Sequence, residues 1–147
     1  MSGYVARQGR PEDNAALQRL FGVPQPSSGL RMAFERAPDY FVSAAVMYHQ
    51  PELLVVTRRQ DDALVAAVNM GVRRTYLNGC AQPLRYGADM RIAPESQWGR
   101  VLLYVNRAVK EVIRDGWYLS VILEDNQRSR SSLEGGRAGL PDYRHVG

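Results

Sequence analysis

The period of the apolar pattern changes at Pro94, and this change limits the possible folds more than any other feature of the sequence. Before Pro94, three apolar, strand-like runs are separated by turn signals. They are residues 53–59, 63–77 and 84–92. After Pro94, apolar residues recur at helical spacing through residues 99–116. The sequence therefore predicts three consecutive strands followed by one long helix that Gly116 closes.

Short turns connect the predicted strands. Residues 60–62, Gln-Asp-Asp, separate the first two runs and are a hairpin signal, and Asn78-Gly79 marks a second turn. Gly87, inside the third run, indicates a bulge or a close backbone approach. The three runs are therefore predicted to form an antiparallel meander.

The segments on either side complete the predicted order of elements. Residues 3–9 read as a short strand with Val5 as its buried residue, and residues 10–22 read as a helix with an apolar stripe of Leu17, Leu20 and Phe21. A shorter helix is expected over 30–37, before Pro38, whereas 39–50 are ambiguous. Residues 117–125 are typical of a strand buried on both faces, and 126–136 fit one or two helical turns. The order β-α-α-β-β-β-α-β-α predicts one α+β domain over residues 1–147.

Composition narrows the function classes. The net charge is +4 and every basic residue except Lys110 is an arginine, but the arginines are spread along the chain, which argues against a nucleic-acid stripe. Cys80 is the single cysteine, so an internal disulfide is excluded, a reducing compartment is expected, and the location predicted is cytoplasmic. His49 and His145 add no plausible zinc cluster. No apolar run approaches the roughly 20 residues of a membrane span. Dinucleotide, nucleotide-triphosphate and hydrolase-elbow glycine motifs are all absent from the sequence.

The ordered set of segments resembles the GNAT superfamily of acyl-CoA-dependent N-acyltransferases. "VARQGRPEDNAALQRLF" is similar to the family's first strand and helix, and "LLVVTRRQDDALVAAVNMG" to its hairpin. "LRYGADMRIAPESQWGRVLLYVNRAV" resembles its strand-loop-helix core, and "YLSVILEDNQRSRSSLEGGRAGLPDY" its next strand and helix. The resemblance implies a mixed sheet that contains the meander and a splayed pair of central strands, with the acyl thioester in the gap. It also implies acetyl-CoA as the cofactor.

The resemblance assigns the cofactor-binding residues. A helix N-terminus presents unpaired amides and the positive end of a dipole, so main-chain groups alone can hold a diphosphate. By resemblance these amides belong to Gln97, Trp98, Gly99, Arg100 and Val101. Main-chain groups of Met90, Arg91 and Ile92 would contact the pantetheine arm. Asn126 would hydrogen-bond the pantetheine amides, or it is an ordinary N-cap.

Two departures from the family pattern carry expectations of their own. Ser96 stands where the family's loop has a long polar residue, and Val101 stands where it has a small one, so Val101 is expected to crowd the diphosphate. Family members also carry two more strands after the fourth helix. The chain is therefore expected to lack the last two strands, and the unpaired sheet edge would favour a homodimer.

Catalysis requires an acceptor for the amine's proton and an acid for the leaving thiolate. Glu124 is the first candidate acceptor because it ends the apolar run, where removal from water would make it a stronger base; its alternative is a solvated charge. Asp89 is the second, unless it pairs with an arginine. By resemblance, Tyr143 is the candidate acid, unless it is only a packed loop tyrosine. The resemblance implies direct acetyl transfer to a primary amine of a small molecule or peptide; the alternative is a non-catalytic CoA-binding or regulatory module.

Overall fold

The structure is a computed structural model that describes residues 3–24, 35–96, 98–114, 116–124, 126–134 and 143–146. Its strands are β1 (Tyr4–Gln8), β2 (Leu53–Arg58), β3 (Leu64–Asn69), β4 (Val72–Leu77), β5 (Cys80–Arg85) and β6 (Ala88–Ile92). Its helices are α1 (Asn14–Gly22), α2 (Tyr40–Met47), α3 (Trp98–Ile113) and α4 (Gln127–Leu133). The α+β class predicted from the sequence is confirmed. Among the described residues, no helix combines the length and the apolar character that a membrane crossing requires.

The main sheet has the order β1-β2-β3-β6, and all of its pairs are antiparallel. Strands β4 and β5 form a separate two-stranded sheet. The meander is therefore confirmed, but the predicted second and third strands each break into two, at residues 70–71 and 86–87. The β4–β5 turn is the predicted one: Asn78 has φ 51° and Gly79 has φ 78°, the left-handed values that a two-residue hairpin turn requires.

Asn69 and Gly71 explain the first break. The Asn69 side-chain oxygen accepts hydrogen bonds from the amides of Gly71, at 2.9 Å, and Glu52, at 3.2 Å, and so replaces a ladder partner. A Cβ atom on Gly71 would lie 2.6 Å from Cδ1 of Tyr48, so only glycine fits where the chain leaves the sheet. The sequence pattern did not show this break because the apolar run continues through it.

The helices cover opposite faces of the main sheet. On one face, Tyr104 of α3 contacts the edge of Tyr4, with ring centroids 5.6 Å apart. On the other face, Phe21 of α1 stacks on Tyr40 of α2 at 5.3 Å, and the Tyr40 hydroxyl accepts a hydrogen bond from Asn69. The predicted stripe of α1 is confirmed, since its three apolar residues are buried.

Three local predictions need correction or qualification. Val5 is only half-buried, and its neighbours Tyr4 and Ala6 pack against the core instead, because alternate residues of β1 face α3. The ambiguous segment contains helix α2, which begins after Asp39, whose carboxylate accepts the amides of the first turn. Of the helix expected over 30–37, residues 30–34 lie outside the described residues and 35–37 are not helical.

The predicted strand at 117–125 is wrong in its described part, residues 117–124. The segment makes one isolated parallel bridge, between Leu119 and Tyr86, through Gly87 N to Leu119 O at 2.8 Å and Leu119 N to Arg85 O at 3.0 Å. Trp117 and Val121 are 63% and 73% exposed, so one face is open rather than buried. An unbroken apolar run does not distinguish a strand covered on both faces from an extended segment covered on one.

Candidate functional site

A cavity lies where β6 and residues 117–124 separate. The two segments meet at the Tyr86–Leu119 bridge, and beyond it no further β-bridge joins their described residues. A cavity of about 380 Å³ occupies the gap, with Ala88–Arg91 on one wall and Ser120–Leu123 on the other. The gap agrees with the splayed pair that the sequence resemblance implied, although β6 is the only strand of its two walls among the described residues.

The structure brings some of the predicted site residues to this cavity and leaves others outside it. Those that line it are Asp89, Met90, Arg91, Asn126 and Tyr143. Ile92 packs against the core beside it, and the first turn of α3 and Glu124 are not part of its lining. Gln97 lies outside the described residues, and of Trp98 only the main chain is described.

Asp89 is held by two partners. Its carboxylate accepts hydrogen bonds from Arg36 Nη2 at 2.8 Å and Nε at 3.3 Å, and from the Tyr40 hydroxyl at 3.1 Å. The side chains of Arg36 and Asp89 are only 9% and 6% exposed. Burial, followed by the nearby Asp89 charge, raises the pKa of Tyr40, which keeps its hydroxyl as a donor. The arginine pairing is therefore confirmed, and Asp89 is not a free proton acceptor.

Glu124 has an environment opposite to the predicted one. Its side chain is exposed, and its carbonyl oxygen accepts a hydrogen bond from Arg130 Nη1 at 3.3 Å. It lines a wider groove of about 890 Å³ that also contacts Trp117 and Arg130. The predicted removal of Glu124 from water is wrong, because the end of the segment is not covered. The argument for Glu124 as a base loses its physical support.

The first turn of α3 presents main-chain donors to an open surface. The helix begins at Trp98, so the amides of residues 98–101 have no partner within the helix. Gly99 and Arg100 are exposed, and a Cβ on Gly99 would meet nothing within 4 Å. Val101 is 0% exposed because its side chain packs into the core, so the expected crowding by Val101 is wrong. Just before the helix, Ser96 Oγ is buried and has no hydrogen-bond partner among the described residues.

Asn126 and Tyr143 reach the cavity from the C-terminal part of the chain. The Asn126 side-chain oxygen accepts the Ser129 amide at 3.1 Å, so Asn126 is the N-cap of α4, and its side-chain NH₂ donates to no described residue. The Tyr143 hydroxyl is hydrogen-bonded to Ser120 Oγ, and its ring meets the edge of Tyr118 at 5.7 Å. Burial, followed by the neighbouring Tyr143, raises the pKa of Tyr118. Sequence reasoning missed Tyr118 and Ser120 because the run around them reads only as a strand.

Comparisons with known proteins identify the architecture. No family model matches the sequence, and no curated protein is significantly similar to it. Solved structures do match: an aminoglycoside 6'-N-acetyltransferase from Acinetobacter baumannii is 14% identical with a TM-score of 0.66, over 98% of this chain and 95% of that one. The chain has the GNAT fold. Glucosamine-6-phosphate N-acetyltransferase from Arabidopsis thaliana matches with 12% identity and a TM-score of 0.60, over 98% and 95% of the two chains. An aminoglycoside N-acetyltransferase in complex with CoA matches with 13% identity and a TM-score of 0.61, over 99% and 93%.

Within this GNAT fold, three arginines of the described residues line the cavity, and we call Arg36, Arg73 and Arg91 the arginine cluster. Arg73 Nε donates to the Met47 carbonyl at 3.1 Å, and its guanidinium lies 4.2 Å from the centroid of the Tyr86 ring. The Arg91 guanidinium lies 5.7 Å from the centroid of the Phe21 ring, on the α1 face of the sheet.

Arg91 carries a charge that the described residues do not fully solvate. Its Nε is buried without a hydrogen-bond partner among them. Burial lowers the pKa of Arg91, and the nearby Asp89 only partly opposes that effect. The resemblance pointed to the main chain of Arg91, whereas the structure also draws attention to its side chain. The available signal was the alternation along β6, which places two charged residues, Asp89 and Arg91, on one face of a short strand.

Proposed function

We propose that this protein is an acyl-CoA-dependent N-acyltransferase that transfers an acetyl group from acetyl-CoA to a primary amine. The observation that carries the proposal is the cavity between β6 and residues 117–124, which opens where the two segments separate. The fold neighbours support it, since they are acetyltransferases and one was solved in complex with CoA. Aminoglycosides and glucosamine 6-phosphate both carry primary amines, which is the acceptor class that we propose.

The residues near α3 fit a diphosphate. The amides of residues 98–101 point out of the first turn, and the helix dipole favours an anion there. Arg100 is exposed on the same turn and adds positive charge. The partnerless Ser96 hydroxyl is a buried polar atom that an anion would satisfy. Acetyl-CoA, when bound, supplies a thioester carbonyl that an amine can attack.

The transfer involves two protons, one that leaves the amine and one that the departing sulfur accepts. Asp89 is the only carboxylate among the described residues of the lining, and its bonds to Arg36 and Tyr40 occupy it. We therefore assign the amine's proton to water in the cavity rather than to a side chain. The hydroxyl of Tyr143, aligned by Ser120, is the proposed donor of the proton to the leaving sulfur. Asn126, through its side-chain NH₂, is the proposed donor to the pantetheine arm.

Substitution of Tyr143 tests this assignment. Loss of an acid group costs roughly 100-fold in kcat, so Tyr143→Phe should lower kcat by about that factor and leave the Kd of acetyl-CoA unchanged. Tyr76→Phe is the matched control, because Tyr76 is 78% exposed on β4, outside the cavity lining. Glu124→Gln should leave kcat unchanged, since Glu124 is exposed outside the cavity. A large loss in Glu124→Gln, with Tyr143→Phe fully active, would reverse the assignment.

A binding and thiol-release experiment tests the proposed function as a whole. Acetyl-CoA at about 100 times its Kd should raise the free energy of unfolding by about 2.7 kcal/mol. Release of free thiol should then depend on an added primary amine. If neither CoA nor acetyl-CoA stabilises the protein, the cofactor assignment fails. If both bind and no amine releases thiol, the non-catalytic CoA-binding module is the correct function. The homodimer and the cytoplasmic location expected from the sequence stay predictions.

A further inference from the structure

The charge of the cavity favours one class of acceptor. Four charged side chains line it among the described residues: Arg36, Arg73, Arg91 and Asp89. Three arginines face one aspartate, which leaves a formal excess of two positive charges.

The arginine cluster and Asp89 form one electrostatic group. Arg36 is bonded to Asp89 at 2.8 Å, and both charges act on Arg91. Tyr48 lies beside Arg73, whose guanidinium is 5.4 Å from the centroid of the Tyr48 ring, and burial, followed by the Asp89 charge, raises the pKa of the Tyr48 hydroxyl. The Asp89 carboxylate is already bonded to Arg36 and Tyr40, so it does not complete the hydrogen bonding of Arg73 or Arg91.

This group lies on a different part of the fold from the proposed diphosphate site. Arg91 contacts Phe21 of α1, and Asp89 contacts Tyr40 of α2, so both side chains are on the α1 and α2 face of the sheet. The amides of the α3 first turn belong to the helix on the opposite face. A pantetheine arm that joined the two sites would carry no charge. The positive charge of the cluster is therefore not needed for the cofactor and is available to the acceptor.

We propose that the acceptor is an amine that also carries an acidic group, a carboxylate or a phosphate, which Arg91 and Arg73 bind. Arginine suits this role because its guanidinium offers paired donors that match both anions. A partly buried cation without a carboxylate partner gains most from such a ligand, since the ligand restores the interactions lost with water. A polyamine would instead place like charges together in the cavity. This inference rests on the proposed function for the transfer step, and its binding part can be tested alone.

Matched ligands test the proposal on the CoA-loaded full chain by calorimetry. The pairs are 4-aminobutyrate against butylamine and 2-aminoethyl phosphate against ethanolamine, with 1,4-diaminobutane as the dication. The acid-bearing member of at least one pair should bind about tenfold more tightly than its neutral partner, which corresponds to about 1.4 kcal/mol. A difference in the first pair would indicate an acceptor with a carboxylate, and a difference in the second pair would indicate an acceptor with a phosphate.

Arg91→Gln and Arg73→Gln should each abolish that preference, because each should weaken binding of the acid-bearing amine more than binding of its neutral partner. Arg74→Gln is the matched control, because Arg74 follows Arg73 on β4 but is exposed and does not line the cavity. In thiol-release assays, Arg91→Gln should raise the KM of the acid-bearing amine about tenfold and change its kcat little. An equal loss for acid-bearing and neutral amines would indicate a structural effect and would overturn the proposal.

The outcomes separate this inference from the proposed function. If neutral amines or the dication bind and react at least as well as the acid-bearing amines, the acceptor class is wrong and the transferase stands. If acid-bearing amines bind in an Arg91-dependent manner but no thiol is released, the ligand class stands and the transferase fails. If no acid-bearing amine binds more tightly than its neutral partner, the inference is overturned.

Discussion

The cavity and the first turn of α3 bind by different means. At the cavity, charged side chains from distant parts of the sequence converge, and Arg36 and Asp89 are 53 residues apart. At the first turn of α3, the donors are main-chain amides that any sequence able to start a helix there would supply. Side-chain substitutions should therefore damage the cavity strongly, whereas few substitutions can remove a donor from the helix. This difference suits a cofactor that binds at the first turn of α3 through groups common to all sequences, and a specific acceptor that binds in the cavity.

The largest effect should come from separating the Arg36–Asp89 pair. Asp89→Asn leaves Arg36 buried without its charge partner, and removal of one member of a buried pair costs about 3 kcal/mol or more. Asparagine is the suitable replacement because residue 89 has φ 57°, a value that asparagine tolerates. Chemical denaturation would measure the loss in the free energy of unfolding.

Two further variants make that measurement specific. Asp61→Asn breaks the exposed pair with Arg58, whose side chains are 39% and 46% exposed, and should leave the denaturation midpoint unchanged. The double variant Arg36→Met with Asp89→Asn should be more stable than the sum of the single losses predicts, because the two residues interact directly. Additive losses would show that the pair has no coupling and would contradict the contrast between the two sites.

The second effect concerns a main-chain donor in α3. Gly99→Pro removes one amide of the first turn, where proline is tolerated because the amide has no partner within the helix. Loss of a hydrogen bond to a charged group costs about 1.5 kcal/mol or more, so the Kd of CoA should rise about tenfold or more. Gly99→Ala is the control: it keeps the amide, and its Cβ would meet nothing within 4 Å, so its Kd should match that of the unmodified protein.

Circular dichroism should show the same helix content in both Gly99 variants. Equal CoA affinity in Gly99→Pro and Gly99→Ala would exclude this amide from the diphosphate site. A loss in Gly99→Ala as large as that in Gly99→Pro would indicate that the surface around residue 99 is restricted, in conflict with the open space found there.

The same contrast explains what the sequence could predict. Helices α1 and α3 and the Asn78-Gly79 turn depend on local periodicity and turn chemistry, so they were predicted from short windows. The assignment of a diphosphate site to the first turn of α3 followed from the place of this turn in the order of elements, after the meander and at the start of the long helix.

The arginine cluster depends instead on tertiary packing. Nothing local links Arg36 to Asp89. Glu124 was misplaced for a related reason: its burial depends on whether other elements cover the end of residues 117–124, and this end is open in the structure. A site made of main-chain amides can be predicted once the secondary structure is known. A site made of side chains can be predicted only when the three-dimensional fold is known.

The smallest effect sharpens the comparison at Ser96, which, like Arg100, has a side chain proposed to assist the main-chain site. Its hydroxyl is buried without a partner among the described residues, so Ser96→Ala should leave the stability of the free protein unchanged or slightly increased. If CoA satisfies that hydroxyl, the same variant should weaken CoA binding by roughly threefold to tenfold, as expected for one hydrogen bond of about 1 kcal/mol. Thermal denaturation with and without CoA measures both quantities on one sample. Unchanged or increased stability of the free protein together with weaker CoA binding would place Ser96 in the cofactor site. A stability loss without a change in CoA affinity would instead assign Ser96 to the folding of the loop before α3.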